Sequence, residues 1–215
     1  MQNNILIKIL RFLGKIMSGT KKIAGKKNTI KNCGILSNVR YDIVGDENSV
    51  YISKGSTISD THIYIRGSNN RLVIGQNVEY SGGALWFEGD NCLIDIGKNT
   101  TVLSACLQVI ESNRKIVIGS DCMFSVNITV WTSDFHSIVE LQSHRRINPS
   151  KDVIVGNHVW VGADALLLKG VSLRDNSIVA ARSVVTKSVL ENTIVAGSPA
   201  RCIRTGINWE RDRNI

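Results

Sequence analysis

From residue 155 the chain reads Val155-Gly-Asn-His-Val-Trp160, Val161-Gly-Ala-Asp-Ala-Leu166, Leu167-Leu-Lys-Gly-Val-Ser172, Leu173-Arg-Asp-Asn-Ser-Ile178, Val179-Ala-Ala-Arg-Ser-Val184 and Val185-Thr-Lys-Ser-Val-Leu190. An aliphatic residue leads every hexad. The fifth places of the first five are Val159, Ala165, Val171, Ser177 and Ser183, all small or β-branched. Helical amphipathicity needs spacings near 3.6 and a simple strand needs 2, so neither accounts for a sustained six. Short strands joined by tight turns do, with the first and fifth places sharing an interior. Upstream, Ile52, Ile74, Ile96 and Ile118 stand 22 residues apart. Each of the first three of these isoleucines is preceded by a polar turn, Gly45–Asn48, Gly67–Asn70 and Gly89–Asn91, as a coil closing repeatedly at one corner requires.

The 215 residues are 43% hydrophobic, which predicts one folded domain. Few aromatics and many Ile, Val, Asn, Gly and Ser residues favour strands and turns over helix bundles. Five cysteines without a CxxC pair suggest neither a disulfide framework nor a thiolate zinc site, and so a reducing compartment. The formal charge of +8 is confined to one end. Eight of the 26 Lys and Arg residues lie in residues 1–31 with no acid among them, leaving 18 to balance the 18 Asp and Glu of the remainder. A neutral body argues against nucleic acid as a partner.

Within that basic stretch Ile5, Ile9, Phe12 and Ile16 recur at helical spacing, predicting a short N-terminal amphipathic helix. Lys8, Arg11 and Lys15 interrupt it too often for a membrane span or a signal peptide, which leaves the cytoplasm as the expected location. The helix either caps the domain or packs between subunits, or else residues 1–27 rest peripherally on the inner, anionic face of a membrane. The expected division is a basic segment over 1–31, a repeat domain over 32–200 and a tail over 201–215.

The hexads resemble those of the left-handed parallel β-helix acyltransferases. This resemblance covers roughly residues 45–200 and implies an all-β solenoid with triangular coils of three hexads. The 22-residue intervals then read as a coil with four residues added at a corner. The interval from Ile118 to Val155 is 37 residues, one coil with 19 to spare, so a loop must leave the solenoid over residues 131–151. Ser133-Asp-Phe-His136, Gly156-Asn-His-Val-Trp-Val-Gly162 and Ala196-Gly-Ser-Pro-Ala200 sharpen the resemblance to bacterial polysaccharide O-acetyltransferases, among them the capsular polysialic acid O-acetyltransferases. Ile207-Asn-Trp209 is similar to the tail of that group.

What the resemblance implies is acetyl transfer from acetyl-CoA to a sugar hydroxyl, with a homotrimer whose sites lie between adjacent solenoids. Carried onto this sequence, His136 is the general base and Trp160 lines the acetyl site. A hydroxyl is a poor nucleophile at neutral pH, and histidine is the side chain suited to take its proton. Asp134 either orients the imidazole or makes a local turn. Gly162, Ala163 and Ala181 would line the coenzyme slot, with Thr186, Lys187, Arg201 and Arg204 toward its phosphates and Pro199 near the adenine. Where the family commonly has a glycine, this chain has Arg182. His158, Arg145 and Arg146 are candidates for the acceptor, with a structural role as the competing reading for His158, and His62 and His144 are expected to be solvated. Two rival functions remain, N-acetylation of a nucleotide-linked amino sugar and a non-catalytic carbohydrate-binding solenoid. The four histidines lack the clustering of a zinc enzyme, and no metal is expected.

Overall fold

A computed structural model describes residues 20–212, so the predicted amphipathic helix lies outside the described residues. These form a parallel β-solenoid. The six hexad leads are at most 2% exposed, as are the five fifth-place residues. Ile52, Ile74, Ile96 and Ile118 continue the same interior. Alternation along each strand puts one side chain inside and the next outside, and parallel pairing repeats that choice from coil to coil. The result is a single hydrophobic core running the length of the prism.

Each late coil visits three faces. The first is a seven-stranded sheet that includes Val153–Val155 and Ser172–Leu173. Trp160–Val161 lies on the second face between Met123–Phe124 and Ile178–Val179, and Leu166–Leu167 on the third between Ile128–Trp131 and Val184–Val185. The ten-residue strands Thr57–Arg66 and Glu79–Glu88 run through the second corner, bent at positive φ by Asp60 and by Gly82 and Gly83, and so join the second and third faces into one 15-stranded sheet.

The four residues added to each early coil do not sit at a corner, as the spacing suggests. They lengthen the third face, where Arg40–Val44 and Ala105–Ile110 stand in the place of the two-residue Leu166–Leu167. The third corner is sealed by an asparagine ladder, since Asn48 and Asn70 each donate from Nδ2 to a glycine carbonyl and accept the next coil's N–H. Lys21–Ala24 and Thr29–Asn32 already pair in parallel with Arg40–Val44 and Ser49–Ile52. At the other end Ala200–Thr205 folds antiparallel onto Thr193–Gly197.

Candidate functional site

The loop leaves the third corner after Trp131 and returns at Val153. Its base is clamped to the coils on either side. Glu111, on the preceding coil, accepts from both terminal nitrogens of Arg146, at 2.9 and 2.5 Å, and from the Ser133 hydroxyl at 2.9 Å. On the other side Lys169 Nζ donates to Asp134 Oδ2 at 2.6 Å and to the Asn148 carbonyl at 2.9 Å. Buried Asn148 ties the two together by donating from Nδ2 to Asp134 and to the His136 carbonyl. The His136 N–H donates to the Asp134 carbonyl at 2.7 Å. The backbone of His136 is thereby held on both sides, and its imidazole is exposed.

Two expectations are corrected by this geometry. Asp134 does not orient the imidazole, because its carboxylate is engaged by Lys169 and Asn148, with Lys169 foremost in holding it below the usual carboxylate range. The local turn is made instead by the Ser133 hydroxyl, which accepts from the Phe135 N–H. Arg146 is committed to Glu111 and Asn148 and has little left for an acceptor. Arg145 and His144 stand exposed on the loop. His62, expected in solvent, is half-buried on the third face with Nδ1 against Arg40 Nη2 at 2.8 Å.

Arg146 above all holds the Glu111 carboxyl down to about 2 from its ordinary 4.5. Because the folded value is depressed, the clamp stabilises fully above pH 4.5 and its contribution is lost as pH falls toward 2. Glu111→Gln should therefore melt below the parent at pH 7, by on the order of 1 kcal/mol for a pair about a third exposed. Melts at low pH should close that gap. An equal gap at pH 7 and at pH 2.5 would remove the carboxylate from the clamp.

A second cluster sits at the first corner, where the chain turns from Val155 to Trp160. Trp160 faces outward as expected, 38% exposed. His158 does not reach toward an acceptor. Its Nδ1 is 2.7 Å from Asp121 Oδ2, its Nε2 2.9 Å from the Trp209 carbonyl, and its ring stacks on the Trp209 indole at 4.1 Å and 6°. Both ring nitrogens are thus engaged within the chain. Burial raises the Asp121 carboxyl, but hydrogen bonds from His158 and Arg211 outweigh it and leave the group lowered.

The small residues predicted for the coenzyme stack at the second corner. Gly162 donates to the Val179 carbonyl, Ala180 to the Val195 carbonyl, and Arg182 to the Ala163 carbonyl. A Cβ on Gly162 would stand 2.6 Å from the Ala181 nitrogen, so this glycine is demanded by the approach of the coils. Arg182 takes the left-handed turn at φ 57°, as Asp164 does at 59° one coil earlier, so the corner keeps its shape without the family's glycine. Toward the end of the prism Lys187 and Arg201 line a cavity of about 250 Å³ with Val185, Val195, Ala200 and Thr205. Thr186, Pro199 and Arg204 are exposed around it. A narrow strip of small residues leading to cationic side chains fits a thin chain ending in phosphates.

His136 and Trp160 are not brought together within one chain. Trp160 lies on the second face, and the loop that carries His136 departs from the third corner, which is the corner opposite that face. The loop carries exposed apolar side chains at Phe135, Ile138, Val139, Leu141 and Ile147, the surface expected where another polypeptide packs.

Sequence reasoning missed Glu111, Asn148, Lys169, Asp121 and Arg211. Two of these had a legible signal. Glu111 falls 22 residues after Gly89 in the column Gly45, Gly67, Gly89 and keeps a positive φ of 73° without being glycine. In the first-corner column Asn77, Asn99, Asp121, His158, Asn176, Asn192, all at positive φ, Asp121 accepts from the histidine that interrupts the asparagines.

Residues 152–187 match the family model for the hexapeptide repeat of succinyl-transferase. Over 148 residues, 68% of either chain, the sequence is 36% identical to a polysialic acid O-acetyltransferase of Neisseria meningitidis. The crystal structure of the polysialic acid O-acetyltransferase OatWY matches at 32% identity with a TM-score of 0.82, over 89% of this chain and 92% of that one. That of the polySia-specific acetyltransferase NeuO gives 30% and 0.82 over 92% and 91%. With a shared coil architecture along nearly the whole length, this chain belongs to the left-handed β-helix, hexapeptide-repeat family of O-acetyltransferases.

Proposed function

We propose that this chain transfers acetyl from acetyl-CoA to a hydroxyl of a sugar in a bacterial surface polysaccharide, with His136 as general base, in a homotrimer whose sites are completed between protomers. The observation that carries the reading is the state of His136. Its backbone is pinned by Asp134 and Asn148, and its ring is exposed and makes no hydrogen bond among the described residues. A base so placed is anchored through its backbone and not spent on a contact within its own chain.

His136 takes the hydroxyl proton as the sugar oxygen adds to the thioester carbonyl. The carbonyl electrons move onto oxygen, return as the C–S bond breaks, and the imidazolium hands its proton to the departing thiolate. Ester and free thiol result, and the base is restored. Trp160 would flank the acetyl group from the neighbouring protomer, and Gly162, Ala163 and Ala181 would border the coenzyme arm, with Lys187, Arg201, Arg204 and Thr186 toward its phosphates. The trimer reading is supported by the separation of His136 from Trp160 within one chain and by the apolar loop side chains.

Polysialic acid is the first acceptor to test, since it is named in the relatives; an O-antigen polymer is the next. Labelled acetyl-CoA incubated with each polymer should yield label that mild base releases, as an ester does. Label that resists base would indicate N-acetylation, and no transfer to any glycan together with no coenzyme-dependent rise in Tm would leave the non-catalytic solenoid. A cytoplasmic site of action is part of the proposal. All five cysteines are free thiols, which suits a reducing compartment.

A further inference from the structure

After the hairpin that closes the solenoid, the chain turns back. Ile207 exchanges hydrogen bonds with Asn192, donating from its N–H and accepting from Asn192 Nδ2. Trp209 then lies against His158, and Arg211 reaches coils lower still. Its guanidinium meets Asp121 Oδ1 at 3.0 Å, Thr101 Oγ1 at 3.0 Å and the carbonyls of Asn99 and Cys122 at 3.1 and 3.0 Å. Residues 207–211 thus descend the first corner as a strap, touching the left-handed corner residues Asn192, His158 and Asp121 in turn.

The middle of the strap is the tightest. Trp209 Nε1 donates to the His158 carbonyl at 2.8 Å, while the Trp209 carbonyl faces His158 Nε2, so the two residues clasp each other through ring and backbone alike. Trp209 is 5% exposed, and besides His158 its indole meets the Trp160 ring, at 6.2 Å and tilted 51°, and the Arg211 guanidinium, 5.7 Å from its centroid. The solenoid wall beneath is already closed by Val155, Val159 and Val161. Trp209 therefore adds nothing to the interior. What it does cover is one side of the Trp160 indole, which is 38% exposed with that wall in place; a side chain walled on fewer sides has more staggered rotamers open to it.

We propose that the strap is a positioning element of the acetyl site, with Trp209 as the residue that holds the Trp160 indole in its working orientation. The proposal rests on the assignment of Trp160 to that site. Asp121 and Arg211 act at one remove, by fixing His158 and the strap that Trp209 rides on. Misplacement of a site wall by about 1 Å can cost on the order of 100-fold in rate, so the effect should appear in turnover rather than in coenzyme affinity.

The test compares Trp209→Ala with Trp209→Phe in the full chain, reading kcat and KM for polysialic acid, acetyl-CoA affinity, Tm, and the indole ¹⁵N–¹H resonance of Trp160 assigned by its loss in Trp160→Phe. Expected for Trp209→Ala is a fall in kcat of about 10-fold or more, acetyl-CoA Kd within about 2-fold, and a shifted Trp160 resonance. Trp209→Phe should recover most of kcat. An unmoved Trp160 resonance, an unchanged kcat, or a loss of activity that follows a loss of Tm in both variants would overturn the proposal. A parent that acetylates no glycan would sink the proposed function instead, and the Trp160 resonance would still report on the strap.

Discussion

Replacing His136 with alanine should lower kcat by about 10²- to 10⁴-fold while leaving acetyl-CoA affinity and Tm close to the parent's. The size follows from what a positioned base contributes to proton transfer. The selectivity follows from the structure. The imidazole is exposed and makes no hydrogen bond among the described residues, and the loop is held by Glu111–Arg146 and Asp134–Lys169 rather than by the ring. Coenzyme binding is assigned to the second corner and the end cavity, away from the loop's root. A His136→Ala protein that acetylates its glycan at the parent's rate would remove the base from the mechanism, and an inactive one that fails to bind acetyl-CoA would mean that the loop shapes the coenzyme slot.

The same variant tests the partition of the site between protomers. His136→Ala and Trp160→Ala are each inactive if both side chains are needed. Because the two residues lie on opposite sides of one prism, a mixed assembly contains interfaces that pair the intact histidine of one chain with the intact tryptophan of another. Co-refolding the two variants should restore about a quarter of the parent's activity if association is random and each site draws one residue from each of two protomers. No recovery would place both residues of a working site in a single chain.

The periodicity made the interior legible to the level of single residues, because a side chain that must be inside in every coil leaves an arithmetic trace at six or 22 residues. Val155 to Val185 and Ile52 to Ile118 are buried as that arithmetic requires. What surrounds the prism was less legible. Whether an outward histidine meets solvent, coenzyme or the chain's own terminus depends on contacts 51 residues apart, as between His158 and Trp209, and no period encodes them. The partners of Asp134 and Arg146 are hidden for the same reason. A carboxylate two residues from a histidine looks like its partner in sequence, but Lys169 stands one coil above and is nearer in space. The breaks in the corner columns were more informative than the corners themselves. Glu111 in a glycine place and His158 in an asparagine place each hold a backbone conformation those residues adopt at some cost, and each anchors a segment that crosses coils.

Phe124→Ala should be the most destabilising of the single truncations considered, by about 3 to 5 kcal/mol. Phe124 is fully buried on the second face, with Val102 on the coil before it and Val161 on the coil after it in register. A globular core relaxes around such a deletion by letting helices slide, but here the neighbouring coils are fixed by the ladder. Met123 donates to the Val159 carbonyl at 2.9 Å and Ser125 to the Val161 carbonyl at 3.0 Å, one on each side of the missing ring. The void therefore stays open, and the cost belongs at the upper end of the range. In a solenoid the loss is shared with adjoining coils before distant ones, and the adjoining coil here carries Trp160 on its outer surface. Hydrogen exchange should report faster opening at Val161 and Val102 than at Ile52, while the parent protects all three. Equal protection in Phe124→Ala, or a loss below about 1 kcal/mol by denaturant titration, would mean that the coils can close on the gap and that the ladder is softer than its hydrogen bonds indicate.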